Sequence, residues 1–147
     1  MLHLGSTYLM VKDMSMSIDF YSKLLSMEPT AKNYDRWAQF DFENQCIALC
    51  NNEYDKRMIE GNIDLDKHYN KAYIEFFKSN KIIYGNNFVL NFWVEDLNKE
   101  YDRILNLKIG QVSPIKYVNI AMPYYFFTLE DPDGNLIEVT GRYVISG

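Results

Sequence analysis

Tyr8-Leu9-Met10-Val11 is a short β-type run that stops at Asp13, and beyond it Ile18, Phe20, Tyr21, Leu24 and Leu25 recur with helical spacing. The pattern predicts a strand followed by a helix, with Asp13 or Ser15 as its cap and Pro29 as its stop. Trp37 to Phe42 and Cys46 to Cys50 read as strands separated by the turn-prone pair Glu43-Asn44, with one more strand around Thr30 to Asn33. The same order then recurs. Phe88 to Val94 is a strand that stops at Glu95-Asp96, Leu97, Tyr101, Ile104 and Leu105 form a helical stripe, and strands follow at Gln111 to Val118, Tyr124 to Leu129 and Leu136 to Thr140. Two copies of one supersecondary unit imply an α+β fold, a tandem repeat of β-α-β-β-β modules. Neither module buries its sheet face alone, so both are expected in one domain spanning residues 1–147, with module one at about 4–50 and module two at about 88–141.

Between the copies lies a polar stretch from Asn51 to Asn87, rich in Asp, Lys, Asn and Tyr. Within it, the segment from Asp64 to Lys78 places Leu65, Tyr69, Ala72, Tyr73, Phe76 and Phe77 on one helical face. Two readings of this helical linker stay open: a lid or dimer arm, or a connector packed on the outside of the sheet.

With 147 residues, 48% of them hydrophobic and 16% aromatic, the chain suits one folded unit and not a disordered one. A net charge of −5 gives no basic footprint, so neither nucleic acid nor an anionic membrane is expected as a partner. No apolar run approaches the roughly 20 residues of a membrane helix, and the first residues lack the pattern of a secretory signal. A cytoplasmic location is the expectation. Cys46 and Cys50, four apart on one strand, would sit roughly 13 Å apart, beyond the about 7 Å limit for a disulfide. They are read as two free thiols, and with only His3 and His68 as histidines a zinc site lacks ligands.

The most informative stretch is Phe127 to Val139, which reads as strand, tight turn, strand. Asp131 accepts backbone hydrogen bonds across the turn, Pro132 fixes a corner, Gly134 takes positive φ, and Glu138 stands on the second strand. Taken with Val11-Lys12-Asp13 and Ser17-Ile18-Asp19-Phe20-Tyr21 near the other end, this hairpin resembles the vicinal-oxygen-chelate superfamily. That superfamily contains glyoxalase I, extradiol dioxygenases, fosfomycin-resistance enzymes and the bleomycin-resistance proteins. The resemblance implies paired modules forming a cup of mixed sheet with helices outside. It also implies, in the enzymes, a divalent metal on inward-facing His or Gln, Glu, His and Glu that polarises vicinal substrate oxygens.

Carried onto this chain, the four ligand positions implied by the resemblance fall on Ser6, Ala48, Val89 and Glu138, and only Glu138 is a ligand type. A one-residue slip brings up the opposite strand face and does not repair the set. His3 has the wrong parity and His68 lies on the linker. No metal or other cofactor is therefore expected. What remains is an aromatic and polar lining, with Tyr8, Met10, Trp37 or its alternate Ala38, Asn91, Trp93, Tyr124 or Tyr125, and Glu138 as candidate ligand-binding residues. Such a lining suits a small aromatic or amphipathic molecule.

The chain thus looks similar to the metal-free bleomycin-resistance branch: a metal-independent small-molecule binder, of a sequestering kind, for which the resemblance implies a homodimer. Two alternatives stay open, a metal-dependent lyase or dioxygenase with displaced ligands, and a regulatory domain that binds a partner through the linker helix.

Overall fold

The computed structural model describes residues 1, 3–62, 64–86, 88–119 and 122–146. The elements run β1 (Thr7–Met10), α1 (Met14–Leu25), β2 (Ala31–Asn33), β3 (Trp37–Phe42), β4 (Gln45–Cys50), α2 (Asn52–Gly61), α3 (Leu65–His68), α4 (Lys71–Ser79), β5 (Val89–Asp96), α5 (Leu97–Leu107), β6 (Lys116–Asn119), β7 (Pro123–Glu130) and β8 (Leu136–Arg142). They make two four-stranded mixed sheets of identical topology, ordered β1-β4-β3-β2 and β5-β8-β7-β6. In each, the first strand pairs parallel with the last, and the remaining pairings are antiparallel. The α+β class and the repeat follow directly. The chain divides into two compact units, one of Met1–Ile18 with Met27–Ile83, the other of Asp19–Ser26 with Tyr84–Gly147.

In the first unit, Leu9, Ala38, Phe40, Ile47 and Leu49 fill the buried face of the sheet. Alternation puts Tyr8, Met10, Trp37 and Gln39 on the other face. The β3–β4 turn is the expected Glu43-Asn44, both residues with positive φ, the mirror-image turn that suits a twisted hairpin.

In the second unit, Phe127, Leu129, Ile137 and Val139 are buried, as are Leu97 and Ile104 of α5. The Tyr101 ring of α5 meets Phe127 edge-on at 5.0 Å. Each such side chain taken from water contributes about 1.5–3 kcal/mol. Asp96 caps α5 by accepting from the Lys99 N–H at 3.0 Å, as Asp13 caps α1 through the Met16 N–H at 2.9 Å. Gly141 is required by close approach: a Cβ there would stand 2.5 Å from the Val94 carbonyl, where the β5–β8 register shifts. The signature hairpin closes on Asp131, whose Oδ1 accepts the N–H groups of Asp133 and Asn135 at 2.9 and 2.8 Å. Gly134 takes the expected positive φ of 83°.

Three expectations need correcting. The strand read over Gln111 to Val118 is shorter and later, with β6 beginning at Lys116 and only an isolated bridge at Val112 before it. The single helix read over 64–78 is broken at Tyr69-Asn70. There the Asn70 side chain accepts from the Tyr73 N–H at 2.8 Å and starts α4 afresh. Helix α2 had no counterpart in the sequence reading. It starts where the Asn51 side chain caps Glu53, and its buried anchors are Ile59 and a carboxylate, Asp55. The linker's last residue, Asn87, lies outside the described residues.

Candidate functional site

Parallel pairing of β5 with β8 sets Asn91 directly beside Glu138 and Trp93 beside Thr140. Pairing of β7 with β8 sets Thr128 on the other side of Glu138 and Phe126 beside Thr140. Because directly paired residues share a face, one polar and aromatic surface results. Asn91 Nδ2 donates to Glu138 Oε1 at 3.0 Å and to Thr140 Oγ1 at 2.9 Å, and the Thr140 hydroxyl donates to the same Glu138 oxygen at 3.3 Å. Both bonds to the carboxylate fall on Oε1. Among the described residues, no hydrogen bond falls on Oε2. Trp93 is two-thirds exposed and Tyr124, on the same face, about one-third. Of the seven expected site residues, Asn91, Trp93, Tyr124 and Glu138 are brought together here, whereas Tyr125 points to the other face, where it pairs with Gly141.

Lys116, Phe126 and Thr128 also belong to this surface and were missed. Lys116 Nζ donates to Thr128 Oγ1 at 2.8 Å and lies 5.5 Å from the Phe126 ring centroid. Their side could be assigned only once the register to Glu138 was known. The signal available in sequence was the alternation within Tyr124 to Leu129.

The other three candidates share a face in the first unit. Tyr8 pairs with Ala48, and Cys50 stands between Met10 and Trp37. The Tyr8 and Trp37 rings meet edge to face at 5.2 Å, and Trp37 Nε1 donates to Gln39 Oε1 at 2.8 Å. The linker packs against part of this face rather than the outside of the sheet, leaving Tyr8 half exposed. Asn52 Nδ2 contacts Met10 Sδ at 3.2 Å, and Phe76 and Phe77 of α4 close a cavity of about 190 Å³ over Tyr8, Met10 and Cys50.

What fastens the linker is Asp55, fully buried. Arg36 donates to it twice, Nε to Oδ1 at 2.9 Å and Nη2 to Oδ2 at 3.2 Å, and the Tyr69 and Tyr73 hydroxyls donate one to each oxygen, both at 2.6 Å. Burial pushes the Asp55 carboxyl up, but the donors from Arg36, Tyr69 and Tyr73 outweigh it and hold the pKa below the ordinary carboxylate value. The two rings stack on each other at 5.2 Å and 8°. Burial also pushes the Cys46 and Cys50 thiols up, which favours the protonated form.

A divalent ion does not fit the four implied positions. Ala48 is fully buried and has no donor atom, Val89 pairs with Leu136, and Glu138 is tied to an amide and a hydroxyl. Among the described residues no three His, Cys, Asp or Glu side chains gather as a metal would need. His3 is exposed, and His68 ends α3 beside Tyr69.

Residues 2–139 match the family model described as Glyoxalase/Bleomycin resistance protein/Dioxygenase superfamily. Solved structures of the same fold include a lactoylglutathione lyase from Agrobacterium tumefaciens, 18% identical with a TM-score of 0.64 over 95% of this chain and 92% of that one. A virulence protein from Salmonella typhimurium is 22% identical with a TM-score of 0.62 over 98% of both chains. A glyoxalase/bleomycin resistance protein from Albidiferax ferrireducens is 17% identical with a TM-score of 0.61 over 95% of this chain and 98% of that one. At these identities the likeness is one of fold. No curated protein matches the sequence.

Proposed function

Because the chain belongs to the Glyoxalase/Bleomycin resistance protein/Dioxygenase superfamily, we propose that it is a metal-independent binder of a small aromatic or amphipathic molecule. The ligand lies against the β5-β8-β7 face. The observation that carries this reading is Glu138: its Oε1 is fixed by Asn91 and Thr140, and Oε2 is left to a ligand donor. Trp93 and Tyr124 beside it offer ring surface for an aromatic body. Glu138 orients; it does not ligate.

The donor set supports metal independence, since a single anchored carboxylate without imidazole is a poor site for a catalytic divalent ion. Tyr8, Met10 and Trp37 offer a second, smaller aromatic face in the first unit, bordered by Phe76 and Phe77 and with Tyr8 half exposed. The protein works as a homodimer in the cytoplasm. No helix among the described residues is long and apolar enough to cross a membrane, and the net charge is −5. Elemental analysis of protein purified without chelator tests the reading: less than about a tenth of an equivalent of transition metal per chain is the expected result. One equivalent, removable together with an activity on an α-ketoaldehyde or a catechol, would replace the binder by a metalloenzyme.

A further inference from the structure

The linker carries a second cavity, of about 560 Å³, which shares Arg36 and Tyr73 with the smaller one over Tyr8. Four of the chain's twelve tyrosines line it: Tyr34, Tyr54, Tyr69 and Tyr73. Its size falls in the range of small-molecule sites, roughly 300–1,000 Å³. We propose that this cavity is a binding site for an uncharged planar heteroaromatic molecule, stacked on the Tyr34–Tyr54 pair.

The ring geometry supports stacking. Tyr34 and Tyr54 already stack on each other, centroids 6.1 Å apart and planes at 21°, an offset pair that presents flat ring surface to the cavity. Tyr34 is four-fifths exposed, so its ring is open to a ligand. The Tyr69 and Tyr73 part of the lining is rigid, because both hydroxyls are tied to buried Asp55.

Tyr34 is also held in a costly conformation. It sits in the β2–β3 turn at φ 53°, and of the eight non-glycine residues with positive φ among the described residues it alone is aromatic. Asparagine or glycine would make this turn with less strain, so the ring itself is what the position supplies. The cavity's charges are already spent within the protein. Arg36 is paired with Asp55, and nearby Asp35 takes the Asn51 amide at 3.2 Å and Arg57 at 3.4 Å. A charged ligand would find no counter-charge, whereas the Asn33 amide and the His68 imidazole on the lining offer in-plane hydrogen bonds to a heterocycle's edge.

The test uses two uncharged planar probes, adenine and lumichrome, titrated into the full chain by NMR, with salicylate and proflavine as anionic and cationic comparators. Saturable shifts at Tyr34, Tyr54 and the Asn33 amide are expected with at least one of the two neutral probes, and weaker ones with both charged comparators. Tyr34→Asn should weaken that binding about fivefold or more, the value of one stacking face, with the melting temperature unchanged or raised. Tyr34→Phe should restore it. Glu138→Gln should leave it untouched, which separates this site from the one proposed on the second sheet. Absence of saturable shifts with both neutral probes, tighter binding of a charged comparator, or a Tyr34→Asn protein that binds the neutral probes normally would each overturn the proposal.

Discussion

Tyr21 donates its hydroxyl to Asp131 Oδ2 at 2.7 Å, a buried bond between residues 110 apart in the chain. Tyr21 comes from the Phe20-Tyr21 pair on α1, and Asp131 is the pivot of the hairpin whose second strand carries Glu138. The end of α1 and the hairpin, two of the stretches that carry the resemblance to the superfamily, are therefore joined within one unit. The carboxylate that folds the turn accepts Asp133 and Asn135 on one oxygen, and on the other Tyr21 and the Asn135 amide at 2.8 Å. Burial beside Asp131 pushes the Tyr21 hydroxyl well above the ordinary tyrosine value, so it stays a donor throughout the working pH range.

Tyr21→Phe removes one donor from a buried charged acceptor and keeps the ring. The expected cost is about 1.5–3 kcal/mol, or several degrees in melting temperature. Thermal denaturation followed by circular dichroism checks it; a change below one degree would mean that water replaces the hydroxyl and that the bond does not hold the hairpin in place.

Asp55 makes the linker sensitive to acid. Its folded pKa is depressed, so its stabilisation is complete above the unfolded value of about 4 and is lost as the pH falls through the lower folded value. The protection factors of α2 and α4 amides against hydrogen exchange, each measured relative to the intrinsic rate at the same pH, should fall below pH 4, before global unfolding. In Asp55→Asn that pH dependence should vanish, with a stability loss of about 2–4 kcal/mol at pH 7 from the unpaired Arg36. Protection factors in α2 and α4 that stay flat between pH 6 and pH 3 would show that Asp55 is not what fastens them.

Much of this architecture is legible in the sequence because strands such as Trp37–Phe42 are apolar runs bounded by turn residues and the first helix of each module announces itself with an aspartate, Asp13 or Asp96. Trp37–Phe42 and the Glu43-Asn44 turn are read directly for that reason. Helix α2 is not legible, since its buried anchor is a charged residue, Asp55, whose partners Arg36, Tyr69 and Tyr73 come from elsewhere in the chain. The break at Asn70 is hidden for a related reason: the apolar stripe from Leu65 to Phe77 continues across it. On the site, parity alone places Asn91 and Glu138 on one face, but Lys116 and Thr128 become visible only through the β7–β8 and β6–β7 registers.

Glu138→Gln removes the charge but keeps the shape, and the Asn91 amide can still donate to the new carbonyl oxygen. The melting temperature should stay within a few degrees, while a cationic or donor-rich ligand from a screen binds roughly tenfold more weakly, the worth of one charge-assisted hydrogen bond. Titration calorimetry on both proteins decides between a ligand contact and a residue kept for the fold; equal affinities with a lower melting temperature would point to the latter.

Two open sheets leave β1, β2, β5 and β6 as edge strands. Edges of this kind are covered in stable proteins, and a two-fold pairing is a common cover. Light scattering at tens of micromolar should therefore give about twice the mass of one chain, 17.4 kDa. A monomer at that concentration would remove the homodimer from the account.

Metal independence is the claim on which the functional reading turns. The direct measurement is a calorimetric titration of one screened ligand into two samples of the protein, one dialysed exhaustively against chelator and one supplemented with zinc, manganese or nickel. The account predicts the same affinity and stoichiometry in both, because Glu138, Asn91 and Trp93 make the contacts themselves. Affinity lost on chelation and restored by one equivalent of a single metal would contradict it.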